Sequence, residues 1–102
     1  MLKNEALQVA REYAARVKAE LDSNAEIYLF GSAARNEMHG GSDIDIAVVS
    51  EIFTADVIAN RVKLMLLSNL ISHRIEPHPV IFEDWKKATP FAKEIKNFGV
   101  LI

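Results

Sequence analysis

Cysteine is missing from all 102 residues. Disulfide scaffolds, thiolate zinc sites and cysteine nucleophiles are thereby excluded, and the composition fits a reducing compartment. Neither sign of charge predominates: 12 Lys and Arg stand against 14 Asp and Glu, a net charge of −2, which disfavours a protein that grips nucleic acid through its phosphates. No apolar run approaches the roughly 18 residues of a spanning helix, so the chain reads as cytoplasmic and without membrane contact. Only 4 Gly and 3 Pro occur, and repeats, linkers and low-complexity stretches are missing. What is present is 50% apolar and 25% charged, enough for one domain over residues 1–102 and too little for two.

Leu7, Ala10, Ala14, Val17 and Leu21 recur at spacings of three and four, which predicts a helix over 5–21 behind an Asn4 cap. Glu26-Ile27-Tyr28-Leu29-Phe30, ended by Gly31-Ser32, predicts a strand. From Ala33 to Ser42 a short helix should pass into a glycine-bearing loop. Over 43–49 a second strand is expected, with Ile44, Ile46 and Val48 on one face and Asp43, Asp45 and Ala47 on the other. Thr54 caps a predicted helix reaching about Ile71, in which Ile58, Val62, Met65 and Leu66 form a stripe that Val57, Leu64, Leu67 and Ile71 widen. Ile75 to Phe82 predicts a third strand; Pro77 and Pro79 remove N–H groups from one side of it, which belongs at a sheet edge. Thr89-Pro90 reads as a cap and first helical position, opening a helix through Asn97 that stops at Gly99 before an apolar tail. The order implies an α/β sandwich, helices against a small sheet with three core strands.

The chemistry lies in Gly31-Ser32, ten residues, then Asp43-Ile44-Asp45. A glycine at a strand end lets backbone approach a ligand, and the N–H groups of the following turn with the Ser32 hydroxyl suit phosphate oxygens. Asp43 and Asp45 on one strand face repel each other and a phosphate unless hard cations lie between them, so the pair implies bound magnesium. Such a combination serves phosphoryl or nucleotidyl transfer, with two Mg²⁺ ions holding a nucleoside triphosphate and acidifying the attacking hydroxyl. Glu76, between Ile75 and the first proline of the third strand, is the candidate third carboxylate and general base.

These residues resemble the minimal nucleotidyltransferases of the DNA polymerase beta superfamily, whose signature is Gly-Ser, ten residues, Asp-x-Asp. The likeness extends over Gly31-Ser32-Ala33-Ala34-Arg35, over Gly41-Ser42-Asp43-Ile44-Asp45-Ile46, and over the ending from Pro90 to Leu101. Asn36 stands where the family commonly has glycine, and Glu76 where it more often has Asp; Asn tolerates left-handed backbone, and Glu carries the same charge. The resemblance implies the nucleotidyltransferase fold, α/β (α+β), a small mixed sheet of three or more strands flanked by helices. It implies metal and catalytic roles for Asp43, Asp45 and Glu76, nucleotide contacts from Gly31, Ser32, Arg35 and Ser42, Mg²⁺ as cofactor and ATP as substrate. It also implies a HEPN-type helical partner, a ribonuclease toxin for which this chain would be the antitoxin, transferring AMP to a partner tyrosine.

Each assignment has a plainer alternative. Asp43 and Asp45 would otherwise be a solvated strand face, Gly31 and Ser32 a turn and a helix cap, and Glu76 a carboxylate guarding an edge strand. Arg35 would reach a phosphate or brace the turn through a carboxylate. His78 shares Glu76's face but reads as a surface or packing residue, and Trp85, Phe91 and Phe98 read as packing rather than a base-stacking platform. The apolar helix ending Leu64-Met65-Leu66-Leu67, with the tail Val100 to Ile102, exceeds what a small core hides and predicts a partner or self-association surface. Two further functions compete with transfer to a protein: a catalytically weak antitoxin that neutralises its partner by occlusion, and nucleotidyl transfer to a small molecule or RNA end.

Overall fold

In the computed structural model residues 3–35 and 43–102 are described; Asn36, His39, the Gly40-Gly41 loop and Ser42 lie outside them. The elements run α1 (Lys3–Glu20), β1 (Glu26–Phe30), β2 (Ile44–Ser50), α2 (Val57–Ser68), β3 (Ile75–Ile81), α3 (Phe82–Lys87), α4 (Pro90–Phe98) and β4 (Val100–Leu101). They form the expected α+β architecture around a four-stranded mixed sheet of order β3-β2-β1-β4. β1 pairs antiparallel with β2 and β4, whereas β2 and β3 are parallel and joined through α2. β3 is an edge strand. The Arg74 carbonyl accepts from Ile44 N–H at 2.7 Å. Alternation along a parallel ladder then turns Pro77 and Pro79 to the open side, where their missing N–H groups cost no ladder bond.

Period-two alternation gives the sheet two covered faces. Ile27, Leu29, Ile44, Ile46, Val48 and Ile75 pack with Ala6, Ala10, Tyr13, Ala14 and Val17 of α1 and with Leu64 and Leu67 of α2. The opposite face, Phe30, Ala47, Val49 and Val80, lies under Ile95 of α4, with Tyr28, Phe82 and Trp85 at its margin. The fully buried Tyr13 hydroxyl donates to the Leu64 carbonyl at 2.9 Å, tying α1 to α2, and burial pushes its pKa well above the ordinary phenol range.

Several expectations are corrected. Asn4 falls inside α1, because nothing at Lys3 or Asn4 opposes helical backbone. The cap of α2 is Asp56, whose carboxylate accepts from Ala59 N–H at 3.0 Å; Thr54 instead holds the preceding turn by accepting from Asp56 N–H at 3.1 Å. After Ser68 the chain continues only as turns, with Leu70 N–H on the Leu67 carbonyl and Ile71 N–H on the Ser68 carbonyl. Residues 31–35 form one turn, closed by Arg35 N–H on the Gly31 carbonyl at 3.2 Å. The rest of the short helix expected there lies outside the described residues. α3 and β4 are additions to the expected set, and the stripe Ile58, Val62, Met65 and Leu66 points to solvent while Asn60, Leu64, Leu67 and Ser68 face inward. Asn60 explains that rotation: its Oδ1 accepts from Thr54 N–H at 3.0 Å and its Nδ2 donates to the Thr54 carbonyl at 2.7 Å, a pair of bonds made from a buried position.

Candidate active site

Asp45 is the centre of the site. On β2 it lies beside Phe30 of β1 and Glu76 of β3, all three projecting to the face partly covered by α4. Two residues further along β3, His78 is the register partner of Ala47, whose methyl group leaves room beside it. The His78 Nε2 lies 3.2 Å from Asp45 Oδ1, and the two side chains are 24% and 26% exposed, open enough for a ligand to reach them. Phe30 and Phe91 hold the imidazole, with ring centroids 5.0 and 5.9 Å from it. Such packing fixes the ring's tilt and leaves its nitrogens to polar partners.

Gly31 closes the site from below. Its φ of +71° lies in the left-handed region, and a Cβ built on it would meet Asp45 Oδ2 at 2.5 Å and Cγ at 3.2 Å. The glycine is thus required twice, for its backbone and for the room the carboxylate occupies. Ser32 follows, half-buried in the same turn, and Arg35 ends the turn exposed.

Among the described residues, one group has the composition and spacing to hold a metal ion: Asp45, Glu76 and His78, whose donor atoms all lie within 4.8 Å of one another. Two carboxylates and an imidazole suit a divalent cation; the oxygens fit magnesium, and the nitrogen extends the fit to manganese. The structure therefore brings Gly31, Asp45 and Glu76 together and adds His78, which the alternation from Glu76 signals. Asp43, exposed immediately before β2, stands outside that group, and Ser42 lies outside the described residues.

Two concavities flank this arrangement differently. A groove of about 410 Å³ between α2 and the open edge of β3 is lined by Arg61, Met65, Ser68, Asn69, His73 and Glu76, among others, and so meets the strand that carries Glu76 and His78 at its edge. A hollow of about 320 Å³ lined by Asp22, Glu26, Ser50 and Glu51 lies at the far end of β1 and β2 and touches none of these donors. No helix among the described residues is long and apolar enough to cross a membrane.

Residues 10–98 match the family model described as a nucleotidyltransferase domain. The fold is that of a Sulfolobus solfataricus protein assigned as a nucleotidyltransferase, with a TM-score of 0.68, 24% identity, and coverage of 97% of this chain and 80% of that one. No curated protein matches the chain in sequence.

Proposed function

The chain belongs to the nucleotidyltransferase domain family, and from that premise we propose that it transfers AMP from ATP to a protein hydroxyl, a tyrosine of a HEPN-type helical toxin, and so acts as an antitoxin. The observation that carries the transferase reading is the convergence of Gly31, Asp45, Glu76 and His78 at one end of the sheet. The acceptor and the antitoxin role draw on the resemblance of the Gly-Ser and Asp-x-Asp segments.

In this reading Asp45 and Glu76 would hold the divalent metal, with Asp43 as the further carboxylate that the resemblance of the Asp-x-Asp segment assigns to it. Gly31, Ser32, Arg35 and Ser42 contact the triphosphate. Two Mg²⁺ ions, when bound, neutralise triphosphate charge and acidify the acceptor hydroxyl. The acceptor oxygen attacks the α-phosphorus, the bond to the bridging oxygen breaks, and pyrophosphate leaves. Glu76 takes the hydroxyl proton as general base, and His78, held between two aromatic rings, keeps the Asp45 carboxylate in place. The exposed apolar stripe of α2 favours one second reading, neutralisation of the partner by occlusion alone.

Mixing the chain with the helical partner, ATP and Mg²⁺ should add the mass of AMP to the partner, and Asp45→Asn or Glu76→Gln should abolish the gain. Absence of any mass gain, with neutralisation surviving Asp45→Asn, would replace transfer by occlusion.

A further inference from the structure

α2 buries the less apolar of its two sides. Its inward residues include Asn60 and Ser68, whereas Ile58, Val62, Met65 and Leu66 are 44–76% exposed and Leu70, just past its end, is 65% exposed. At about 100° per residue, Met65, Ile58, Val62 and Leu66 span an arc of about 100° directly away from the core. On the same wheel Arg61 falls about 40° beyond one margin of that arc and Lys63 about 60° beyond the other, and residues 57–68 include no Asp or Glu. A long apolar strip with a polar rim on a small domain marks an interaction surface.

We propose that this face of α2 docks the protein bearing the acceptor hydroxyl, and that the docked partner presents an apolar strip edged by carboxylates. The proposal rests on the nucleotidyl-transfer reading and extends it to the acceptor's route. Charge complementarity identifies the occupant. A second copy of this chain would bring Arg61 and Lys63 of both protomers to one seam without an acidic side chain from either α2, a like-charge arrangement that disfavours self-pairing. An acidic-rimmed partner answers both cations. Proximity to the site supplies the second argument: Met65 belongs to the strip and also lines the groove beside the β3 edge, which Arg61, His73 and Glu76 line as well. A loop of the docked partner lying in that groove would run along the open edge of β3 and have to pass round that edge at Glu76 to reach the face on which the donor group lies.

The test places a photo-crosslinking p-benzoylphenylalanine at Leu66 of the full chain, with Lys93 on α4 as the control position, and identifies the adduct in cells of the source organism by mass spectrometry. The expected result is a crosslink from position 66, not 93, to one heterologous protein that gains the AMP mass with this chain, ATP and Mg²⁺. Val62→Glu and the pair Arg61→Glu/Lys63→Glu should each lower that modification at least tenfold while Mn²⁺ affinity and the melting temperature stay within error of wild type. A crosslink only to a second copy, no crosslink at all, a partner that is never modified, or full modification by Val62→Glu would each overturn the proposal. Failure of the underlying reading shows separately, as Mn²⁺ binding that Asp45→Asn leaves unchanged.

Discussion

Replacing Gly31 by alanine tests the site at its tightest contact. The new methyl would stand 2.5 Å from Asp45 Oδ2, 3.2 Å from Cγ and 3.3 Å from Cβ, on backbone held at φ +71°. Left-handed backbone costs an L-residue about 1–2 kcal/mol. Overlap with a packed neighbour adds typically about 1–3 kcal/mol, here near the low end because the carboxylate, a quarter exposed, can swing outward. The sum, about 2–3 kcal/mol, corresponds to a fall in melting temperature of roughly 8–24 °C for a domain of this size. The swing also takes Asp45 away from His78 and from the shared donor position, so Mn²⁺ affinity should drop by at least the roughly 10–100-fold that follows when a metal site's supporting residue is disturbed. A double-mutant cycle separates the two costs, since Asp45→Ala removes Oδ2 and Cγ and leaves the backbone contribution of Gly31→Ala with only the 3.3 Å approach to Cβ, giving a coupling energy of about 1 kcal/mol. Thermal unfolding and Mn²⁺ titration of the four proteins read both quantities. Equal destabilisation in both backgrounds, together with unchanged Mn²⁺ affinity for Gly31→Ala, would reduce Gly31 to an ordinary turn residue and refute the reasoning.

Other outcomes follow from single contacts. Tyr13→Phe removes the hydrogen bond to the Leu64 carbonyl and should cost about 1 kcal/mol at neutral pH in denaturant titration. Because burial raises the folded-state pKa of Tyr13 above its ordinary 10.0, the stability it contributes is complete below pH 10 and declines as pH rises past that value; Tyr13→Phe should flatten this alkaline decline, and Tyr28, raised by burial and by Glu26, should retain a smaller one. Thr89→Ala deletes the cap acceptor for Ala92 N–H and should lower stability by about 0.5–2 kcal/mol in thermal unfolding without altering Mn²⁺ affinity. Asn60→Ala strands both backbone groups of Thr54, exposed enough for water to replace part of the loss, and a destabilisation of about 1–2 kcal/mol is expected from denaturant midpoints.

What was legible in the sequence was local. β1 occupies the residues its aromatic and branched composition predicts, and α4 begins at Pro90 behind the Thr89 cap with Gly99 just past its end, because each boundary is written in side chains within a few residues of it. The spacing of Pro77 and Pro79 placed β3 at an edge for the same reason. α3 escaped notice because its six residues are too short to establish a helical period, and Ala88, which ends it in left-handed backbone at φ 54°, carries no glycine signal. β4 escaped because two residues make a strand only through a distant neighbour: Val100 and Leu101 pair with Leu29 and Tyr28, a register that no local pattern records.

The site obeyed the same division. Asp45 and Glu76 stand side by side because β2 and β3 run parallel in that register, and alternation along β3 then delivers His78 to the same face. The doublet spacing did not determine how Asp43 would end, since a residue outside the ladder is not held to the strand's alternation; it lies exposed and outside the donor group. α2 shows how far hydrophobicity alone can mislead. Burial there went to the side bearing Asn60, because two hydrogen bonds to the Thr54 backbone and the Tyr13 bond to Leu64 fix the helix's rotation. A buried amide that loses such partners costs about 1–3 kcal/mol and burying one aliphatic side chain contributes about 1.5–3, so the polar anchor offsets about one member of the stripe, and Leu64 and Leu67, buried on the Asn60 side, offset two more. The sequence excess of apolar residues in that helix is therefore a surface property of the folded chain, and Met65 of the reversed face also lines the groove beside the β3 edge.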